Sequence, residues 1–169
     1  MAPVRRRMAG MTTRRHPHIV HRDEIAPTTV ERGKHRMVRR SFTQAAGNQQ
    51  LGGSLIEVPP GAMSYPFHHH AANEEAIYIL SGSGIARIGD ARVAVRAGDW
   101  IAYPVGPDHA HQMINDGDVP LVYLAVATDH KVDVIGYPDS SKVAAWADEK
   151  WQAMRAGESL DYWDGEPDA

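Results

Sequence analysis

Short segments of strand-like composition, separated by glycine- and proline-containing turns, fill the chain from residue 36 onwards. The dipeptides Pro-Gly, Gly-Asp and Asp-Gly and the tripeptide Gly-Ser-Gly mark these turns. Successive segments begin about ten residues apart with no helical pattern between them, which favours an all-β sandwich or small barrel over a parallel sheet with crossover helices. The candidate strands, roughly nine in number, are Met37–Thr43, Leu51–Val58, Ser64–His70, Ala76–Leu80, Gly84–Ile88, Ala91–Val95, Trp100–Tyr103, His109–Asn115 and Leu121–Ala127. Gly89-Asp90 predicts a two-residue hairpin turn between two of them.

The composition limits both the size and the chemistry of the protein. A chain of 169 residues with 43% hydrophobic content is long enough for one domain of ordinary size. The absence of cysteine excludes disulfides, thiolate zinc sites and cysteine nucleophiles, so a metal site must use nitrogen and oxygen ligands. No run of about 18 apolar residues predicts a membrane span, and we expect a cytoplasmic protein.

Charge is distributed unevenly along the chain. Residues 1–40 carry 11 Lys/Arg and 3 Asp/Glu, whereas the remainder carries 7 and 18. The early arginines lack the aromatic interleaving or recognition helix that would indicate nucleic-acid binding. We therefore predict a basic, partly disordered N-terminal arm over residues 1–35.

A helix is predicted near the C-terminus. Four apolar residues between positions 143 and 154 fall at i, i+4, i+8 and i+11. They form a stripe that would pack on the outside of a β core. The stripe comprises Val143, Ala147, Trp151 and Met154. Asp139-Ser140-Ser141 would cap this helix, and a short acidic tail follows it. The predicted organisation is thus an arm over 1–35, a β-barrel over 36–128 and a C-terminal extension over 129–169.

Three adjacent histidines lie shortly before a carboxylate. Alternate side chains of a strand share a face, so His68 and His70 point to one side and His69 to the other. If a turn follows, Glu75 opens the next strand and brings its carboxylate toward the first pair. Two neutral imidazoles and one carboxylate form a facial ligand set for a divalent metal, with coordination positions left open.

A second glycine-rich block, residues 98–115, offers a fourth ligand. His109 and His111 share one face if this strand is regular, so either is a candidate. A ligand set of histidine and carboxylate without sulfur favours redox-capable or hard metals over structural zinc. The sequence predicts one divalent metal per chain, with Fe, Mn, Ni and Zn as candidates.

Both blocks resemble the two signature motifs of the cupin superfamily. The first motif of that family reads glycine, five residues, H-x-H, three or four residues, glutamate, six residues, glycine. The chain has His68-x-His70, four residues, Glu75, six residues and Gly82. It departs from the motif only at the front, where six residues separate Gly61 from His68.

The second motif of the family reads glycine, five residues, P-x-G, two residues, histidine, three residues, asparagine. The positions that match it at the front are Gly98, Pro104 and Gly106. His109 lies at the expected distance from Gly106 but has Met113 where asparagine belongs, whereas His111 has Asn115 in register after a two-residue insertion. Because an insertion is tolerated better before a strand than within it, His111 is preferred.

The resemblance spans roughly residues 37–127 and implies a double-stranded β-helix, the conical jelly-roll barrel of cupins. It also implies that the metal lies inside the barrel. The implied ligands are His68, His70, Glu75 and His111. A homodimer is implied as well, with Met37–Thr43 as the candidate pairing strand. A narrower likeness to stand-alone bacterial cupins supplies no substrate.

We interpret the chain as a metal-dependent enzyme acting on a small oxygen-rich organic molecule. The reaction would be of oxygenase, isomerase or lyase type, with a dioxygenase-like oxidation favoured and the metal polarising a bidentate oxygen ligand. His109 and Tyr65 are the candidate catalytic acid–base groups. The alternative is a non-catalytic module that binds or senses a small molecule, since one fold hosts many functions.

Overall fold

The structure, a computed structural model, describes residues 16–167. The predicted disorder of the N-terminal arm falls in part on residues 1–15, which lie outside the described residues. The strands are β1 (Thr28–Arg32), β2 (His35–Ser41), β3 (Leu51–Val58), β4 (His69–His70), β5 (Glu75–Ser81), β6 (Ser83–Ile88), β7 (Ala91–Arg96), β8 (Trp100–Tyr103), β9 (His111–Ile114), β10 (Leu121–Thr128), β11 (Asp133–Tyr137), β12 (Lys142–Ala147) and β13 (Lys150–Arg155). One short α-helix, α1 (Thr43–Ala46), and the 3-10 turns Arg22–Glu24, Pro107–His109 and Pro138–Ser140 complete the described elements. No helix between residues 16 and 167 has the length and apolar character needed to cross a bilayer.

The strands form three antiparallel sheets that enclose one core. The largest has the order β1-β2-β3-β10-β5-β8, and the other two have the orders β13-β12-β11-β4 and β7-β6-β9. The core joins residues of the largest sheet to residues of the β7-β6-β9 sheet. Its members include Met37, Ile56, Val58, Ile79, Leu121 and Tyr123 from the first, and Ala86, Val95 and Met113 from the second. The predicted all-β barrel is confirmed.

Gly82 lies where the chain passes from the largest sheet to the β7-β6-β9 sheet. β5 ends at Ser81 and β6 begins at Ser83, so the whole change of direction falls on this residue. Its φ is +80°, and a Cβ at this position would collide with the backbone carbonyl of Pro120. Glycine is the residue that adopts this conformation without strain, which explains its place at the end of the first motif.

The hairpin predicted at Gly89-Asp90 is confirmed. β6 pairs with β7, and Ile88 lies opposite Ala91 immediately beside the two turn residues. Gly89 has a φ of +52°, in the left-handed region that such a turn requires.

Two of the candidate strands are shorter than predicted, and the strands β1 and β11 were missed. In place of Ser64–His70 the structure has only the two-residue strand β4, preceded by isolated bridges at Met63 and His68. The strand predicted from His109 begins at His111, because residues 107–109 form a 3-10 turn that starts on a proline. β1 lies within the segment predicted as a basic arm, where alternation with charged residues concealed it.

The prediction of a C-terminal helix is wrong. Residues 142–155 form the antiparallel hairpin β12–β13, in which Val143 lies opposite Met154 and Trp146 opposite Trp151. The reversal takes place at Asp148-Glu149, and both residues have positive φ values of +50° and +60°. The apolar stripe suggested a helix, but pairing with β11 determines the local structure. Where the cap was expected over residues 139–141, the structure has the 3-10 turn Pro138–Ser140 followed by Ser141 with a φ of +47°.

β11 connects the C-terminal hairpin to the histidine strand. It pairs with β12 on one side and with β4 on the other, where Ile135 lies opposite His70 and Gly136 opposite His69. The C-terminal extension thereby reaches the part of the barrel that carries the predicted metal ligands.

Candidate metal centre

Backbone pairing brings the two sequence blocks together. His68 and His111 exchange both backbone hydrogen bonds, at 3.2 and 2.7 Å, and so lie directly opposite each other. Gly106, from the second block, donates its N–H to the His70 carbonyl at 2.8 Å, with a φ of +112°. Glu75 opens β5 on the neighbouring part of the barrel wall. Four residues that are up to 43 positions apart in the sequence therefore face one point.

The side chains of His68, His70 and Glu75 form a compact group, with one nitrogen or oxygen atom of each lying within 4.8 Å of the other two. The Glu75 carboxylate is 3.7 Å from His70 Nε2 and 3.9 Å from His68 Nε2. His111 Nε2 lies 2.8 Å from the same carboxylate, and its ring centroid is 4.6 Å from that of His68. The structure thus brings together all four residues that the sequence analysis chose as ligands.

Each of the three imidazoles has its Nδ1 atom engaged by an acceptor outside the cluster. His68 Nδ1 donates to the Pro66 carbonyl at 2.8 Å, His70 Nδ1 to Asp133 Oδ2 at 2.5 Å and His111 Nδ1 to the His109 carbonyl at 3.1 Å. A proton held on Nδ1 leaves the Nε2 lone pair free for a cation. The Nε2 atoms of His68 and His70 and the Glu75 carboxylate therefore have the donor set that a divalent metal requires. His111 Nε2 donates a hydrogen bond to Glu75 at 2.8 Å, and it would have to give up that proton to join the set.

Asp133 is the functional residue that the sequence analysis missed. It is 2% exposed and accepts hydrogen bonds from four donors: His70 Nδ1, the amides of Ala71 and Ala72, and the side chain of Asn73. These donors hold the carboxylate in its charged form, so the pKa of Asp133 is lowered despite its burial. Its signal in the sequence was an acid at the start of an apolar strand, which alone does not indicate a partner 63 residues away.

Electrostatics favour a neutral His68 and an ionised Glu75. Burial, together with the neighbouring His111, lowers the pKa of His68 to about 4. Burial alone would raise the pKa of Glu75, but the His111 hydrogen bond and the three imidazoles outweigh it and lower the value to about 2. At neutral pH the group therefore presents an imidazole lone pair beside a carboxylate, which are the protonation states that bind metal.

The cluster opens into a pocket of about 430 Å³ on the inner face of the barrel. Its walls are mainly apolar, and a few polar groups interrupt them. The apolar residues include Ile56, Ile77, Met113, Tyr123, Ile135 and Trp151. The polar ones, beside the cluster itself, include Arg39, Ser54, Ser64, Tyr65 and Gln112. A concave apolar site with few convergent polar groups is typical of small-molecule binding.

Of the two candidate acid–base residues, Tyr65 lies in the pocket and His109 does not line it. The Tyr65 ring is 6.4 Å from that of His68, and burial raises the pKa of its hydroxyl. His109 lies in the 3-10 turn, where its backbone carbonyl orients His111. His69 packs its ring against Gly136 on the outer side of β4, as strand alternation predicted.

Asn115, the last residue of the second motif, has a structural role beneath the site. It is fully buried, and its amide donates to the carbonyls of Val58 and Val119 at 2.8 and 2.9 Å. Its oxygen accepts the N–H of Gly117 at 3.0 Å. The side chain thereby fixes the turn between β9 and β10.

Comparison with known proteins places residues 54–127 in the family described as "Cupin domain". A curated relative is an uncharacterized protein of Methanocaldococcus jannaschii, 38% identical over 73 residues. The match covers 42% of this chain and 56% of that protein, so the chain aligns with about half the length of its relative.

Solved structures share the fold over most of the chain. A candidate sugar phosphate isomerase from Acidithiobacillus ferrooxidans superposes with a TM-score of 0.77 at 25% identity, covering 86% of this chain and 96% of that one. A cupin sugar phosphate isomerase from Silicibacter pomeroyi has a TM-score of 0.74 at 23% identity, with coverages of 84% and 95%, and shows the fold alone. A predicted oxalate decarboxylase from Thermotoga maritima has a TM-score of 0.58 at 28% identity, with coverages of 65% and 97%. The two motifs, the barrel and these matches agree, and residues 54–127 form a cupin domain.

Proposed function

We propose that the protein is a metal-dependent enzyme acting on a small oxygen-rich organic molecule. The observation that carries this proposal is the convergence of three Nδ1-anchored imidazoles and one carboxylate in a pocket of about 430 Å³. His68, His70, Glu75 and His111 would hold one divalent metal. A bound metal would supply Lewis-acid polarisation of a substrate oxygen.

Among the reaction types, we propose an isomerase-type proton transfer in preference to the dioxygenase-like oxidation favoured from sequence. The solved structure from Acidithiobacillus ferrooxidans, similar over 86% of this chain, is that of a candidate sugar phosphate isomerase, which supports this choice. In the pocket, the Tyr65 ring centroid lies 6.4 Å from that of His68, and the raised pKa of the Tyr65 hydroxyl keeps it protonated at neutral pH. Tyr65 would therefore act as a hydrogen-bond donor or acid toward substrate oxygen.

A non-catalytic binding module is the second candidate, and one observation favours it. Apart from the four proposed ligands, the titratable side chains lining the pocket in the described part of the chain are Arg39, Tyr65, Tyr123 and Tyr137. The pKa values of the three tyrosines are all raised by burial, that of Tyr137 to about 12. None of these groups is a base at neutral pH, so proton abstraction would have to use the ligand cluster itself.

The test is proton exchange and product formation with a panel of aldose and ketose phosphates in deuterated buffer. Metal-loaded protein should exchange the proton on the carbon next to the carbonyl, and Glu75→Gln should abolish that exchange. Oxygen consumption with diketones and catechols, without any deuterium exchange, would support the oxygenase reading instead. Binding of panel members without either activity would favour the binding module.

A further inference from the structure

We propose that Arg39 forms an anion-binding subsite at the mouth of the metal pocket, so that the substrate carries a carboxylate or phosphate group. The inference rests on the proposed function, because it assigns a recognition group to the same pocket. Its evidence is the position, the contacts and the uncompensated charge of one arginine on β2.

Strand alternation directs Arg39 toward the interior of the barrel. Met37, two residues earlier on β2, is 2% exposed and belongs to the core, and Arg39 shares its face. Arg36 and Arg40 have the opposite parity on the same strand. Arg39 lines the pocket near its mouth, with a side chain that is still accessible to solvent. A cation at the open end of an apolar pocket is not needed for packing.

One neutral hydrogen-bond partner orients the guanidinium of Arg39. Its Nε donates to Ser54 Oγ at 2.9 Å, and its charge acts on the neighbouring Tyr65 hydroxyl. Among residues 16–167, no carboxylate lies within ion-pair distance of it. A guanidinium has five N–H donors in a planar fork, so donors remain for an oxyanion, which they bind in pairs.

Tyr65 connects this subsite to the metal cluster. Tyr65 lines the pocket together with Arg39, and its ring centroid is 6.4 Å from that of His68. The positive end of the pocket is therefore separated from the metal ligands by a single tyrosine side chain. A small molecule that presents oxygen atoms to the metal at one end and an anionic group at the other would match both ends.

The test is calorimetric titration of inorganic phosphate and of acetate into the metal-free protein. Arg39→Gln should weaken binding of the better anion about tenfold or more, as expected for a charge-assisted pair. Arg36→Gln is the matched control, because it removes the same charge from the same strand on the other face. Tighter binding of phosphate indicates a phosphorylated substrate, and tighter binding of acetate indicates a carboxylate substrate.

Unchanged affinity in Arg39→Gln, or no anion binding by the wild type, would overturn the inference. Metal uptake measured on the same samples separates it from the proposed function. If the wild type binds no metal but retains Arg39-dependent anion binding, the enzyme proposal fails while the anion subsite stands. If metal uptake is normal and anion affinity is unchanged in Arg39→Gln, the anion subsite fails while the enzyme proposal stands.

Discussion

Each of the three histidine ligand candidates depends on a residue that does not itself face the metal. Asp133 is the clearest example, because one buried carboxylate orients His70 and also binds the amides of the turn that follows it. Partners of this kind fix the tautomer and the direction of a ligand, and losing one typically lowers metal affinity 10–100-fold, about 1–3 kcal/mol. Stability and ligand geometry are therefore linked at this residue.

We expect Asp133→Asn to lower metal affinity about 10–100-fold and to destabilise the fold. All four groups around Asp133 are donors, so an amide would turn its own NH2 group toward at least one of them. The measurement is competition with a chelator, together with urea unfolding of the metal-free form. The exposed Asp129→Asn removes a carboxylate nearby and should leave both quantities unchanged. Wild-type affinity in Asp133→Asn would refute the positioning role.

Acid should destabilise the metal-free protein in two steps. The pKa of His68 is about 4 in the folded state against an ordinary value of 6.5, so the unfolded chain takes up a proton first as the pH falls. The free energy of unfolding therefore decreases between pH 6.5 and about 4. Glu75, with a pKa lowered from 4.5 to about 2, adds a further loss below pH 4.5.

Urea unfolding in the presence of a chelator, from neutral pH to pH 4, measures the first of these steps. His68→Asn should flatten the pH dependence between pH 6.5 and 4, because asparagine does not titrate. An equally steep dependence in that variant would show that His68 is not its source.

At the residue scale, spacing predicted the proposed ligands but not the residues that support them. His68, His70 and Glu75 were chosen by strand alternation and by the distance to Gly82, and these are local properties of the sequence. Asp133 and Arg39 come to the site from strands that are neighbours only in the folded barrel. No periodicity in the sequence indicates that these strands become neighbours.

At the scale of elements, the short strand β4 depends on a close contact with β11. The His69 ring lies against the backbone of Gly136, and a Cβ there would overlap the ring. We expect Gly136→Ala to destabilise the protein by about 1–3 kcal/mol, as overpacking does, and to weaken metal binding through the displacement of His70. Thermal unfolding and metal competition measure the two effects.

The double variant His69→Ala with Gly136→Ala is the control for this prediction. Removal of the ring creates room for the new methyl group, so most of the lost stability should return. If the two substitutions were simply additive, the contact would not be the cause of the destabilisation.

Strand pairing next to β11 explains why the prediction of a C-terminal helix was wrong. The apolar stripe of residues 143–154 fits a helix, but its residues lie on two strands, and all of β13 is exposed. The deciding features are the pairing of β12 with β11 and a turn formed by two non-glycine residues of positive φ. Glycine would have marked that turn in the sequence, whereas Asp148-Glu149 did not. By contrast, Gly89-Asp90 marked its hairpin correctly.

At the scale of the whole molecule, the barrel and the C-terminal extension share the pocket. Ile135, Tyr137 and Trp151 of the extension line it, and Tyr137 stacks on His68 with ring centroids 6.0 Å apart. The sequence predicted a division at residue 128 into a barrel and a C-terminal extension. We propose that the extension does not form an independent folding unit. The glycine and proline punctuation predicted the barrel, while the role of the extension required the pairing of β11 with β4.

The predicted homodimer remains to be tested. β2, which contains most of the candidate pairing strand, has β1 on one side and β3 on the other, so β1 forms the edge of the sheet. We expect light scattering to give a mass of about twice the 18.6 kDa chain. We expect proline at Glu31 in β1 to lower that mass, because the N–H of this residue points away from β2 and proline there blocks strand addition. A monomeric wild type at micromolar concentration would contradict the expectation.

The metal content of protein purified without a histidine tag tests the central claim most directly. After metal loading, we expect about one divalent metal per wild-type chain. The affinity should fall at least tenfold in His111→Ala and remain unchanged in His109→Ala, since His111 Nε2 lies 2.8 Å from the Glu75 carboxylate whereas His109 contributes its backbone carbonyl. Less than about 0.2 metal per wild-type chain, or loss of metal in His109→Ala alone, would contradict the proposed site.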